Sequence, residues 1–341
     1  MFYQPTFLRS FYQLSAVNVL SNLMVPLAGL LDVAFLGHLP DIHQLAGVAL
    51  ATVLINYIYW SFAFLRMGTT GTTAQAIGRD DQDDVVLIGL RNGLLALGLG
   101  LGVLILQVPI RWLGFSLLNA APEVRAAGEA YYNALIWGAP ATLTNLVIMG
   151  WFLGQAKGRN VLILSAICNS TKILLDYWWI VRSGWGSTGA GLATATSQWL
   201  MLLVGLALVC QTLDWSQVRR VAGNLRDLAA LRHTLLLNGE ILVRTFALTT
   251  SFALFTNLSS ILGTAVLATN AVLLQVISLT AYFVDGLAYA TESLAGRLHG
   301  KGSREELANL VRVSSSTSLS LGLGIAIAFN LAPAPLFRLI T

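Results

Sequence analysis

The stretch LATNAVLLQVISLTAYFVDGLAYATESLAGR, residues 267–297, decides the fold because its punctuation occurs twice. An earlier stretch, LATVLINYIYWSFAFLRMGTTGTTAQAIGR, residues 50–79, opens on the same Leu-Ala-Thr. Gly68 then precedes Gly78-Arg79 by the same distance as Gly286 precedes Gly296-Arg297. The gap from Leu-Ala-Thr to the first glycine differs by one residue. Each stretch leads into a polar loop, DDQDD at 80–84 and KGSREE at 301–306. A further apolar run follows each loop, and each run ends near proline, in QVPIRWLGF (107–115) and LAPAPLFRL (331–339). The later part of the chain therefore replays its beginning in the same direction.

What is being repeated follows from composition. The chain of 341 residues is 56% hydrophobic and 11% charged, with a mean hydropathy of +0.71. Soluble domains carry roughly 25% charged residues, and this chain has too few to cover its outside. A helix needs about 20 apolar residues to cross the hydrocarbon core. Such runs lie near 14–37, 44–77, 87–109, 126–155, 160–181, 188–211, 234–260, 264–295 and 308–331. They lack the alternation of barrel strands, so they read as helices. The second, fourth and eighth are long enough to tilt or project. The fold expected is an all-α polytopic membrane protein of about nine spans. Residues 1–212 form a six-helix lobe and 234–341 hold three helices of a second lobe, so a C-terminally truncated relative of a longer protein is expected.

Lys and Arg concentrate on one side of these runs, as Arg79, Lys157, Arg159, Arg219, Arg220 and Arg297 illustrate, which predicts a cytoplasmic N-terminus. The long polar connection 213–233 reads as an amphipathic cytoplasmic linker. Cys168 and Cys210 sit in apolar runs as packing residues. No pattern of metal ligands is present in the sequence, no cofactor is implied, and nothing suggests nucleic acid.

Charge inside the apolar runs is the functional signal, because each ionisable group there costs several kcal/mol or more on most estimates. Asp32 lies within PLAGLLDVAFLGHL. In NSTKILLDYWWIV, residues 169–181, Asn169, Lys172 and Asp176 are spaced three and four apart and share a helix face. The pair Lys172–Asp176 could merely fix the rotation of its helix. With Asp32, however, two carboxylates face one ammonium, and a single bound proton would cancel the residual charge. Glu240 and Arg244 form a second pair four apart, and Asp285 and Glu292 share a face seven apart. The one enzyme-like motif is DDQDD, of the acidic type that holds Mg²⁺-diphosphate in prenyl-transferring enzymes. It lacks a second copy, and a solvated loop is the better reading.

The segments GLLDVAFLGHL, LLDYWWI with GAGLATATSQW, and LATNAVLLQ with DGLAYATESLAGR together resemble the MATE (multidrug and toxic compound extrusion) family, in its DinF-like branch. The likeness runs in order along essentially the whole chain. It implies two helical lobes in a V around a central cavity, and export of organic, often cationic, compounds in exchange for H⁺ or Na⁺. It further implies that Asp32, Asp176 and Thr194 occupy the positions of the family's cation site. Two departures stand out. Tyr177 replaces the proline of the family's Leu-Asp-Pro, and Lys172 takes the place of an asparagine. An ammonium repels Na⁺, so protons are the expected coupling ion, with Asn169 as a substitute polar partner. The protein expected is thus a monomeric, multi-pass antiporter of the bacterial inner membrane. The competing readings are a lipid-linked precursor flippase of the same superfamily, a prenyl-transferring enzyme, and a non-transporting remnant.

Overall fold

A computed structural model describes residues 5–118, 120–226, 228–262 and 264–331. Among them all regular structure is helical: α1 (Pro5–Gly37), α2 (Ile42–Ser61), α3 (Phe64–Gly78), α4 (Gln82–Ile105), α5 (Gln107–Leu117), α6 (Pro122–Leu135), α7 (Ala139–Gly154), α8 (Gly158–Asp176), α9 (Gly186–Thr212), α10 (Trp215–Val221), α11 (Leu228–Ile261), α12 (Thr264–Gly300) and α13 (Arg304–Leu331). The nine apolar runs all appear as long helical segments. Seven segments among the described residues are long and apolar enough to cross a membrane. Helices α11 and α12 carry Arg244 and the Asp285–Glu292 pair within their length.

Two of the long runs are interrupted. The second span breaks at Phe62–Ala63, between α2 and α3. The fourth passes through a 3₁₀ turn at Ile136–Gly138 before α7. Pro140 explains the second break: its ring cannot donate to the ladder and collides with the preceding turn. The third run ends at Ile105, earlier than its apolar character suggested, and α5 follows as a separate helix containing Pro109. In the polar connection 213–233, α10 is followed by a 3₁₀ turn at Ala222–Arg226, and α11 begins within the connection at Leu228.

The fourth span is the axle of the first bundle. Its most apolar window is 78% buried inside the protein. Close approach of backbones achieves this. A Cβ on Gly150 would strike the carbonyl of Arg66 on α3, and one on Gly100 of α4 would strike Pro140. Asn145 Nδ2 donates to the carbonyl of Gln198 on α9 at 2.9 Å, and Trp151 Nε1 donates to the carbonyl of Val85 on α4 at 2.9 Å.

The two halves meet through equivalent pieces. Helix α12 packs on α1, and α11 packs on α3. In the internal repeat α11 corresponds to α1 and α12 to α2–α3, so each contact exchanges partners as a pseudo-twofold axis requires. The repeated Gly-Arg motifs face each other directly. A Cβ on Gly78 would strike the carbonyl oxygen of Arg297, and one on Gly296 would meet Ala74. Gly286 lets α12 touch the backbone of Val19 on α1. Ser293 Oγ donates to the carbonyl of Leu153 at 2.5 Å. The halves are therefore closed on each other at the end that carries the 79–81, 155–157 and 301–303 loops.

Candidate functional site

The first-half cluster joins three side chains from two helices. Lys172 Nζ on α8 donates to Asp176 Oδ2 at 2.7 Å and also to Asp32 Oδ1 on α1. Asp176 is completely buried, Lys172 is 13% exposed and Asp32 is 20% exposed. The i,i+4 spacing on α8 brings the ammonium and Asp176 together, and the packing of α1 on α8 delivers Asp32. Asp176 Oδ1 is buried with no hydrogen-bond donor among the described residues. By helix rise, Asp176 stands about 27 Å from the closed end and Asp32 about 8 Å from the far end of α1.

The surroundings are partly aromatic. Phe35 and Tyr177 meet edge to face at 6.2 Å beside the acids. Tyr131 on α6 is buried, with its hydroxyl directed at Thr52 of α2 and Thr194 of α9 and its ring within electrostatic reach of both aspartates. Thr194 thus meets the cluster through Tyr131, while its own hydroxyl donates to the carbonyl of Ala190 at 3.0 Å. Asn169 stays out of the cluster. Its amide donates to the carbonyl of Ser165 on its own helix at 2.8 Å, as polar side chains in apolar helices tend to do.

A second group lies where the halves meet. Arg66 of α3 places its guanidinium carbon 3.7 Å from the centroid of the Tyr289 ring on α12. Asp285 and Glu292, one turn to either side of Tyr289, both face Arg66 electrostatically, and Arg244 of α11 faces Glu292. Asn22 on α1 reaches the same surface, donating to the carbonyl of Tyr282 at 3.4 Å. The side chain of Glu240 lies outside the described residues. Arg66 and Tyr131 were not among the residues picked from sequence. An arginine inside the second apolar run was a readable signal, whereas a tyrosine in an apolar run is not.

The MatE family model matches residues 18–178 and 241–341. This chain belongs to the MATE family. The MATE chain is 32% identical over 336 residues to DNA damage-inducible protein F of Escherichia coli K12, a match that spans 98% of this chain and 72% of that protein. It is 24% identical to the probable multidrug resistance protein NorM of Thermotoga maritima, over 94% of this chain and 69% of that one. A solved outward-facing multidrug resistance MATE transporter of the MOP superfamily superposes with a TM-score of 0.86 at 21% identity, covering 97% of this chain and 74% of that one. A MOP superfamily transporter from Pyrococcus furiosus superposes at 0.85 with 22% identity, covering 96% and 72%. The protein is a multi-pass membrane transporter, not an enzyme.

The α8 helix is distorted directly after its aspartate, without a proline. Residues Tyr177–Arg182 form a π-helical turn directly after Asp176, with Ser183 N donating five residues back to Trp178 at 3.0 Å. Such turns widen the ladder and recur at functional positions. The acidic 80–84 loop serves local structure. Asp81 caps α4 by accepting from Asp84 N at 2.9 Å, and Asp84 pairs with Arg79 at 2.9 Å. Both contacts are internal to the loop and the start of α4.

Proposed function

We propose that this MATE transporter exports organic cations in exchange for protons, and that Asp32, Lys172 and Asp176 form its coupling site. The observation that carries this reading is the charge count of the cluster. Two carboxylates around one ammonium leave one negative charge in a desolvated place, where an uncancelled charge is costly. One proton or one monovalent cationic substrate restores neutrality, so the two compete. The buried, unpartnered Asp176 Oδ1 supports a proton there, since a neutral acid has an O–H to turn towards Asp32. Lys172 occupies the space between the acids and repels a metal cation, which favours H⁺ over Na⁺.

Alternating access follows from lobes that rock about their interface. Residues 1–212 would move as one lobe, 234–341 would belong to the other, and 213–233 would link them. With the N-terminus placed in the cytoplasm, the closed end is cytoplasmic and the state is outward-facing. A proton entering from outside would neutralise the cluster and release the cation. The transporter acts as a monomer in the bacterial inner membrane on this reading.

The test is efflux of ethidium from vesicles containing the purified protein. A pH gradient should drive it and a Na⁺ gradient should not. Asp32→Asn and Asp176→Asn should each stop coupled efflux while inserting normally. Efflux that follows Na⁺, or that survives both changes, would refute the mechanism.

A further inference from the structure

We propose that Tyr289, Asp285 and Glu292 of α12 form a second recognition site for organic cations, and that Arg66 is the internal cation that fills it while the halves are closed. The inference rests on the organic-cation reading above and concerns a different place in the fold.

Four observations support it. First, a cation already sits there. The guanidinium of Arg66 lies over the Tyr289 ring at 3.7 Å, within the range where a ring face attracts a cation. A flat aromatic or quaternary cation uses the same ring face, so the two cannot occupy it together. Second, the charged groups around the ring balance only while Arg66 is present. Among the described residues, Arg66 and Arg244 face the acids, and Asp285 and Glu292 supply two negative charges. Withdrawing Arg66 leaves one excess negative charge beside an exposed aromatic face, which is the chemistry that binds a lipophilic monocation.

Third, the cation and its site belong to different moving parts. Arg66 is on α3 of the first half, while Tyr289, Asp285 and Glu292 are on α12 of the second. The Arg66 backbone cannot shift alone. Its carbonyl touches Gly150 of α7 and accepts from Thr70 Oγ1 at 2.9 Å. Arg66 therefore leaves Tyr289 when α3 and α12 separate. Fourth, the depths agree. By helix rise Arg66 stands about 18 Å and Tyr289 about 17 Å from the closed end, roughly 10 Å nearer to it than Asp176.

The consequence is a displacement step built into closure. When the halves part at the closed end, the aromatic–acid site opens and takes a cation. When they close, Arg66 returns, expels it and leaves it to the Asp32–Asp176 cluster deeper in the protein. Closure thereby moves the cargo, and a closed protein cannot keep cargo at Tyr289.

The experiment measures ethidium binding by fluorescence anisotropy on the purified protein in lipid nanodiscs. An Asp32→Asn background isolates this site from the other cluster. In that background Arg66→Gln should tighten binding roughly tenfold, the scale of one desolvated cation–ring contact. Arg66→Lys should stay near the parent. Adding Tyr289→Leu or Glu292→Gln to Arg66→Gln should reverse the gain, and Tyr289→Phe should keep it, because the ring remains. If Tyr289→Leu does not purify, the Glu292→Gln and Tyr289→Phe pair still decides. Equal affinities in the parent, Arg66→Gln and Arg66→Gln/Glu292→Gln would overturn this inference and leave the transport reading intact. No ethidium binding by the otherwise unchanged protein or by Arg66→Gln would remove both.

Discussion

Replacing Lys172 by asparagine converts the cluster from one holding its own cation into one that must acquire a cation. Lys172 is bonded to both acids, and Asp176 beneath it is wholly buried. Removing one partner of a buried ion pair costs about 3–5 kcal/mol. Asp32 keeps some contact with solvent, which places the expected loss at the lower end, about 3 kcal/mol. At about 2 °C per kcal/mol for a large domain, the melting temperature should fall by about 6 °C. The new amide beside two carboxylates offers an all-oxygen set for Na⁺. With a dissociation constant of about 1 mM, about 100 mM Na⁺ would return about 2.7 kcal/mol. The assay is thermal unfolding in detergent at pH 8, followed by tryptophan fluorescence, in NaCl against choline chloride. Wild type should melt alike in both salts, and Lys172→Asn should melt several degrees higher in NaCl. A wild type stabilised specifically by Na⁺, or a variant that neither loses stability nor responds to Na⁺, would refute the idea that Lys172 stands in for the metal ion.

Two other outcomes follow. Tyr131→Phe removes the hydroxyl directed at Thr52 and Thr194 beside the acids, and proton-driven ethidium efflux should drop by about tenfold while insertion is unchanged, an effect of about 1.4 kcal/mol. Gly286→Val puts a branched side chain against the Val19 backbone, and overpacking of about 1–3 kcal/mol should favour separated halves; a cysteine introduced by Ser293→Cys, buried in the closed state, should then react with maleimide at least several-fold faster.

The spans were legible because lipid permits so few backbone arrangements, and length with hydropathy then finds the helices. Pairing within one helix was legible for the same reason of simple periodicity: Lys172 and Asp176 meet as their spacing requires. Contacts between helices were not. Asp32 was placed with Lys172 and Asp176 on its charge and on the family resemblance, not on any spacing, and it is the packing of α1 on α8 that brings it to Lys172. Asn169 shares the right face, yet its amide prefers a carbonyl one turn back on its own helix. The break at Phe62–Ala63 contains neither proline nor glycine, so no local signal marks it. The π turn after Asp176 likewise has no sequence mark except the missing proline.

The burial of the fourth span bears on how the chain is assembled. A helix that touches almost no lipid in the finished protein is nevertheless apolar enough to be released sideways into the bilayer during synthesis. Its partners α3 and α4 are made before it, but α9, which supplies Gln198 to Asn145, emerges more than thirty residues later. Until then one flank of α7, with the Asn145 amide on it, faces lipid. That flank closes only when α9 packs on α7 and the Asn145 amide reaches the Gln198 carbonyl.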